Sequence, residues 1–245
     1  PIKSSAASDV YKRQDMFKAL FKNDQAMTVV VSIILVYTSL NICGNLVLYF
    51  FRFDVGNEGA YSIFAAVAFA AQVLVMMVIP LLRKRFSKSQ LFISGFIIQI
   101  SGFAVILIMA FAKLYTPQSW YILCLPGILI YLGYGMLNVI MTIFLSDSVD
   151  YGEVMNGTRE ESVIFSMQTF TVKLASGVAV FLAGLVVDWI HLDTAAAVQT
   201  QDTLDALRMW MTIPSVILLI VGIFVFKRFY KLDDTRMEEI KSKLN

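Results

Sequence analysis

Charged residues are scarce in this chain: they make up 16% of its 245 residues, whereas hydrophobic residues make up 58%. A soluble domain of this length typically carries about a quarter charged residues. The mean hydropathy of +0.72 reflects six long apolar runs, which one soluble core of this size could not hide from water. The composition therefore argues against a soluble enzyme and predicts an all-α membrane protein.

Residues that commonly build catalytic or metal sites are also rare. The single histidine, His191, excludes a histidine-based metal cluster, and Cys43 and Cys124 lie inside apolar runs, where they suit packing better than a disulfide. The apolar runs show no paired aspartates, metal-ligand cluster or activated serine, which an intramembrane enzyme needs. The small net charge of +2 gives no indication of nucleic-acid binding. We therefore expect no catalytic residues, no metal site and no resident cofactor.

The polar N-terminus is expected to lie outside the fold. Residues 1–14 read PIKSSAASDVYKRQ, without helical periodicity and without the charged-then-apolar pattern of a signal peptide. One back-translation of residues 9–14, GATGTGTATAAGAGACAG, is similar to the end of a transposon-based sequencing adapter. We interpret 1–14 as a translated adapter or, alternatively, as a disordered natural arm, and we expect the upstream part of the protein to be missing.

Six runs are long enough to cross a bilayer, which requires about 20 mainly apolar residues. They cover about 28–51, 60–82, 91–111, 120–145, 163–190 and 209–226. Together they predict a transmembrane bundle over 28–226, with a cytoplasmic interfacial segment at 15–27 and a cytoplasmic tail at 227–245. Both flanking pieces carry apolar residues at helical spacing, so each is expected either to lie on the membrane surface or to pack on the protein.

The distribution of lysine and arginine predicts the orientation of the spans. Thirteen of these residues precede the first span, follow the second and fourth spans or lie in the tail, whereas three lie on the other side: Arg52, Lys113 and Arg208. Cytoplasmic loops are enriched in lysine and arginine. Both ends of the chain are therefore predicted to face the cytoplasm.

Lys173 lies inside the fifth span, where an unpaired charge costs at least about 2.5–3.5 kcal/mol. It lies about 21 Å along the helix axis from Arg159, too deep to reach the cytoplasmic surface. Small and polar residues share its helical face: Ser162, Ser166, Thr169, Gly177 and Gly184. Because the cores of the six spans contain no acidic residue, Lys173 is predicted to face water, a substrate or a carboxylate outside this chain. The alternative is a lysine that only stabilises a helix interface.

The first and fourth spans carry weaker polar stripes. In the first, Asn41 and Asn45 share a side with Tyr49 and Arg52, and such asparagines either line a cavity or join helices. In the fourth, Asn138 follows a stretch with one proline and three glycines, a combination that marks bends in transport helices and also serves close packing. We expect Asn41, Asn45 and Asn138 to line a cavity.

The segment after the fourth span carries a recognisable pattern. It reads DSVDYGE from Asp147 to Glu153, continues with GTR up to Arg159, and is followed by Lys173 within the next span. An acidic DxxDYGE loop, a G-x-R and an in-membrane lysine at this spacing resemble the glycoside–pentoside–hexuronide:cation symporter family. That family, typified by melibiose permease, is a branch of the major facilitator superfamily. The resemblance covers residues 15–245 and implies the C-terminal six of twelve helices.

The resemblance also implies roles for individual residues. The eleventh helix of the family lines the sugar cavity, so four residues are expected at or near the substrate: Gln168, Thr169, Val172 and Lys173. Lys173 matches a lysine between the sugar site and the coupling-cation site. A cytoplasmic charge network that closes the inner gate is expected from Asp147, Asp150 and Arg159. Single exposed pairs contribute little stability, but a network between two halves can bias a two-state element.

The family's cation-binding carboxylates and most of its sugar-binding groups lie on N-terminal helices, which this sequence lacks. The expected whole is a bacterial inner-membrane symporter that couples uptake of a sugar to Na⁺ or H⁺ by alternating access. Its expected partners are the sugar, the cation, the bilayer and the missing half, without which this chain is predicted not to transport. The alternatives are a six-helix scaffold or receptor module, or a lipid or drug carrier of the same superfamily.

Overall fold

The computed structural model describes residues 22–157 and 159–244. Within these ranges the chain forms seven α-helices: α1 (Asp24–Tyr49), α2 (Ala60–Leu82), α3 (Lys88–Phe111), α4 (Cys124–Asn156), α5 (Glu161–Trp189), α6 (Gln201–Phe229) and α7 (Asp234–Leu244). A π-helix (Phe50–Val55) continues α1, and a 3₁₀ turn (Trp120–Leu123) precedes α4. With these extensions, α1 to α6 are long and apolar enough to cross a membrane. The predicted all-α fold with six spans is confirmed.

The predictions for residues 1–14 and for positions 15–21 of the interfacial segment lie outside the described residues. Elsewhere the helices extend beyond the apolar runs. α4 continues to Asn156 and α6 begins at Gln201. Hydropathy marks only the apolar part of a helix, whereas the hydrogen-bonded helix also includes its polar end turns.

Polar side chains and glycine define several helix ends. Asn23 caps α1, because its side-chain oxygen accepts a hydrogen bond from the Ala26 N–H at 2.9 Å. Ser87 and Gln90 form a reciprocal capping box at the start of α3. Gly157 ends α4 in the left-handed conformation, with φ of 73°, which glycine adopts without a Cβ clash. These local signals place the turns that separate the spans.

The centre of the bundle consists of α1, α3, α4 and α6, while α2 packs mainly on α4 and α5 mainly on α1. Glycines let α3 and α4 approach closely. A Cβ on Gly133 would lie 2.5 Å from the Gly95 carbonyl oxygen, and one on Gly102 would lie 2.7 Å from the Ile130 nitrogen. Such backbone contact is typical of helix pairs in lipid, where dispersion and close packing hold helices together.

Reciprocal hydrogen bonds join α1 to α6 within the core. The Ser39 hydroxyl donates to the Ser215 carbonyl at 3.0 Å, and the Ser215 hydroxyl donates to the Ser39 carbonyl at 2.8 Å. Both serines are fully buried. Their polar groups are therefore satisfied inside the bundle, as a site without water requires.

The bundle has a tail end, where α7 lies, and an Arg208 end opposite to it. At the tail end the Asn23 side chain donates to the Ser148 carbonyl at 2.8 Å, and the Lys231 N–H donates to Gln25 at 2.7 Å. A small apolar cluster seats α7 there through Leu232, Met237 and Ile240. The lysine-rich and arginine-rich loops of the sequence thus meet at one end of the structure.

Candidate substrate and gating sites

α5 presents two different faces to its surroundings. Thr171, Ala175 and Ala179 are buried on the face that packs on α1. Lys173 lies about 200° around the helix from Ala175, so it projects from the opposite, exposed side. Among the described residues it has neither an ion-pair partner nor a hydrogen-bond partner. The interface that α5 makes within this bundle therefore does not use Lys173.

Of the other predicted substrate residues of α5, Thr169 lies about 40° around the helix from Lys173, whereas Val172 and Gln168 lie about 100° and about 140° away, toward the packing face. Thr169 is exposed, whereas Gln168 and Val172 are half-buried. The Thr169 hydroxyl donates to the Phe165 carbonyl of its own helix at 3.2 Å. The Gln168 side chain donates to the Thr142 hydroxyl of α4 at 3.3 Å. Gln168 therefore joins α5 to the polar residues of α4.

The predicted asparagines lie on α1 and α4 and are all half-buried. Asn41 and Asn45 each donate to the carbonyl four residues earlier, at 2.7 Å. Asn138 donates to the Tyr37 hydroxyl at 2.5 Å, across from α4 to α1. In the described part of the chain their side-chain oxygens accept no hydrogen bond, which leaves acceptors for a polar ligand or for water.

These contacts connect three helices into one polar layer. Tyr37 bonds to Asn138, the Thr142 hydroxyl donates to the Asn138 carbonyl at 3.1 Å, and Gln168 bonds to Thr142. We use the name polar layer for these four residues together with Asn41, Asn45, Thr169 and Lys173. The layer supplies hydroxyls, carboxamides and one cation, the groups that hydrogen-bond a sugar or an anion.

Two of the predicted gate residues meet at the tail end. The Arg159 guanidinium lies 2.9 Å from both Asp150 and Glu153 and 3.2 Å from Glu161. The hydrogen bonds that Arg159 donates to Glu153 and Asp150 raise the pKa of its guanidinium, although solvent exposure weakens the pairs. The cluster ties the end of α4 to the start of α5.

Asp147, the third predicted gate residue, occupies a different site from the other two. Its side chain is buried and forms an ion pair with Lys88 of α3. Lys88 also pairs with Asp234 of α7 at 3.3 Å, and Asp234 contacts Arg83 at the same distance. Sequence spacing places Asp147 and Asp150 one turn apart on α4, but it carries no information about Lys88, which lies 59 residues away.

Charge also affects the pKa values of groups around this buried pair. Burial opposes ionisation of Asp234, but the positive charges of Lys88 and Arg83 outweigh it and lower the pKa of the Asp234 carboxyl below its usual value. Burial, together with the charges of Asp147 and Asp234, raises the pKa of the Tyr230 hydroxyl. Asp234 therefore stays ionised near neutral pH and can hold α7 against α3.

The Arg208 end contains a buried cluster that the sequence reasoning missed. Asp54 accepts hydrogen bonds from Arg208 at 2.8 and 2.5 Å and from the Tyr115 hydroxyl at 2.6 Å. The side chains of Asp54 and Arg208 are only 4% and 3% exposed. Burial and the Asp54 carboxylate raise the pKa of the Tyr115 hydroxyl. The available signal was an acidic residue, Asp54, and a basic residue, Arg208, each beside the end of an apolar span.

The described residues contain no group of three or more histidine, cysteine, aspartate and glutamate side chains that could hold a metal ion. The side chains of the polar layer are neutral donors and acceptors and one lysine.

Comparison with known proteins finds a matching protein family and several relatives. The family described as MFS/sugar transport protein matches residues 3–234 of this chain. An uncharacterized symporter of Bacillus subtilis is 25% identical over 99% of this chain and 51% of its own length. The raffinose carrier protein of Pediococcus pentosaceus is 23% identical over 94% of this chain and 35% of its own. The isoprimeverose transporter of Lactiplantibacillus pentosus is 25% identical over 88% and 43%. The chain thus spans about a third to a half of the length of these relatives.

Proposed function

Because the chain belongs to the MFS/sugar transport protein family, we propose that it forms the C-terminal six-helix half of a secondary sugar transporter in a bacterial inner membrane. In this proposal both chain ends face the cytoplasm, so the tail end is the inner end and the Arg208 end is the outer one. The whole transporter couples uptake of a glycoside, pentoside or hexuronide to Na⁺ or H⁺ and performs no covalent chemistry.

The observation that carries this proposal is the exposed side of α5. Lys173 and Thr169 project away from the bundle that this chain forms, while α5 packs through its small buried residues on α1. An unpaired lysine on a membrane-length helix requires water, a counter-charge or a ligand beside it. A second six-helix unit facing the polar layer would enclose such a site at the midplane, where transporters of this kind bind substrate.

The proposed mechanism assigns a step to each cluster. Sugar hydroxyls bind the carboxamides and hydroxyls of the polar layer. Lys173 balances the negative charge of the carboxylates in the other half that bind the coupling cation. Rocking of the two halves then opens the site to one side at a time. Asp150 and Arg159 take part in inner closure, and the buried Asp147–Lys88 pair holds α3 and α4 together so that they move as one body.

Uptake measurements test the proposal. The coding sequence upstream of Asp15 is recovered, the full protein is expressed in a transport-deficient bacterium, and uptake of labelled raffinose, lactose and isoprimeverose is measured with and without a Na⁺ gradient or a protonophore. We expect accumulation of at least one sugar that collapses with its cation gradient. Failure to take up any sugar under any gradient contradicts the proposal.

Substitution of Lys173 tests the assigned residue. We expect Lys173→Ala to lose more than about 90% of sugar accumulation while its abundance in the membrane stays near wild type, because only the ligand-facing charge is removed. Lys113→Ala, which removes an exposed lysine outside the spans, is the matched control and should transport normally. Wild-type uptake by Lys173→Ala would contradict the role of Lys173 in transport.

A further inference from the structure

The π-helical segment Phe50–Val55 at the Arg208 end has no part in the transport site proposed above. A π-helix advances about 80° per residue, against about 100° in an α-helix, and π segments occur often at functional sites. Here Phe50, Phe51 and Val55 are buried, whereas the Arg52 side chain is 42% exposed. Continued α-helical winding would turn Val55 toward the exposed side and Phe53 toward the core. The π winding therefore determines which residues this end of α1 presents.

Beside the exposed Arg52 lie the half-buried rings of Tyr49 and Phe53, which pack against the core on one side. The rings of Tyr49 and Phe53 are nearly parallel, at 9°, with centroids 6.5 Å apart. The Arg52 guanidinium carbon lies 5.0 Å from the centre of the Phe53 ring, and Glu58 lies 3.6 Å from Arg52. A sugar ring binds such a surface well, because its C–H faces stack on aromatic rings while its hydroxyls bond to charged groups.

A buried cluster fixes the segment in this winding. Asp54, the residue after Phe53, is held by two hydrogen bonds from Arg208 and one from Tyr115. These partners belong to α6 and to the connection between α3 and α4. Loss of one member of a buried pair leaves an uncompensated charge, so the cluster strongly favours one position for this end of α1.

We propose that Tyr49, Arg52 and Phe53 form an entry subsite for a sugar ring at the outer mouth of the polar layer, with Asp54 as a positioning residue. This inference rests on the proposed sugar transport and on its orientation. Tyr49 lies one helical turn from Asn45, which lies one turn from Asn41. A sugar that leaves the entry subsite therefore meets the asparagines of the polar layer next.

The concentration dependence of uptake tests the entry subsite. Phe53→Leu keeps an apolar side chain but removes the flat ring, so we expect a rise in KM of about three- to tenfold with Vmax within about twofold of wild type. The measurement is initial-rate uptake, by the full protein, of the sugar among raffinose, lactose and isoprimeverose that the wild type transports. Phe53→Trp should restore the wild-type KM. Phe69→Leu, at an exposed phenylalanine of α2, is the matched control.

Asp54→Asn tests the positioning role separately. We expect it to raise KM as Phe53→Leu does, whereas a purely structural loss would lower Vmax together with membrane abundance and leave KM unchanged. An unaltered KM in Phe53→Leu, or an equal rise in Phe69→Leu, overturns the entry subsite. If the wild-type protein transports none of the three sugars, the proposed function fails and the subsite fails with it. Normal transport with an unaltered KM in Phe53→Leu contradicts the subsite alone.

Discussion

α2 and α5 are the two least buried spans of the bundle, yet their exposed surfaces differ. Only 22% of the most apolar window of α2 and 28% of that of α5 are buried. The exposed side of α2 is apolar along most of its length, as at Phe69, Leu74 and Met77. The exposed side of α5 combines apolar residues with Thr169 and Lys173. Similar exposure therefore indicates acyl chains beside α2 and a polar or aqueous surface beside α5.

The packing faces of the two helices do not explain this difference. α2 packs through a narrow strip that includes Ala68 and Ala71, and α5 packs through one that includes Ala175 and Ala179. Both strips recur at three- or four-residue spacing, as helix interfaces in membranes do. The two helices therefore differ on the sides that face away from their neighbours.

A lysine introduced on the exposed side of α2 should have the largest effect on membrane insertion. Leu74→Lys places a charge on an apolar face, so we expect membrane abundance to fall at least about tenfold, in line with an insertion cost of about 2.5–3.5 kcal/mol. Thr169→Lys, on the side of α5 that already holds a lysine, should insert near wild-type level. Immunoblots of membrane fractions measure both. An equal loss in the two variants would mean that α2 and α5 face the same surroundings.

Overpacking the α5 interface should have the next largest effect. Ala179 is fully buried on the face of α5 that packs on α1, so Ala179→Leu is expected to lower the free energy of unfolding by about 1–3 kcal/mol. The measurement is thermal unfolding of purified protein in detergent. Val180→Leu, one residue further at an exposed position, is the matched control and should change little. Equal stability of both variants would contradict the assigned packing face.

Chemical labelling should sharpen the comparison of solvent access. We expect Thr169→Cys to react with a charged maleimide about fivefold faster than Leu74→Cys, because thiolate chemistry requires water. Cys43 is buried and Cys124 half-buried in the parent protein, so the rate of the parent serves as background. Labelling of whole cells, read by mass shift, gives the rates. Faster reaction at position 74 would contradict the inference that α2 faces lipid and α5 faces water.

The smallest effect concerns the ionic anchor at the end of α2, where Arg83 pairs with Asp234. Because the folded pKa of Asp234 lies below its usual value, the anchor is fully present above about pH 4 and is lost as the pH falls through the folded pKa. We expect a shift of the unfolding temperature of at most a few degrees across that window, since the pair is partly exposed. Asp234→Asn should remove this acid dependence. A wild-type pH profile in the variant would contradict the anchor.

Lys173 and its stripe could be predicted because they depend on spacing alone. A helix repeats every 3.6 residues, so Thr169 and Lys173 must share a side wherever that helix is placed. The same reasoning predicted that Asn41 and Asn45 share one side of α1. It could not predict that Gln168 reaches Thr142, or that Asn138 reaches Tyr37, because those bonds depend on how three helices are arranged around one another.

The charged residues at the helix ends show what a resemblance in sequence cannot predict. The family resemblance implied one network of Asp147, Asp150 and Arg159. In the structure Asp150 and Arg159 pair on the surface, while Asp147 is buried against Lys88. A shift of one helical turn changes which neighbour a carboxylate meets, and only the packing of α3 on α4 determines that neighbour.

The sequence by itself determined the six apolar helices, their polar ends and the stripe that contains Lys173, since length, hydropathy and helical periodicity are local properties of a chain. Only the tertiary structure decided that Asp54 pairs with Arg208, 154 residues away, and that the end of α1 adopts π winding above that pair. The physical reason is distance. Ion pairs and hydrogen bonds act over a few ångströms, and the fold alone brings residues so far apart in the chain within that reach.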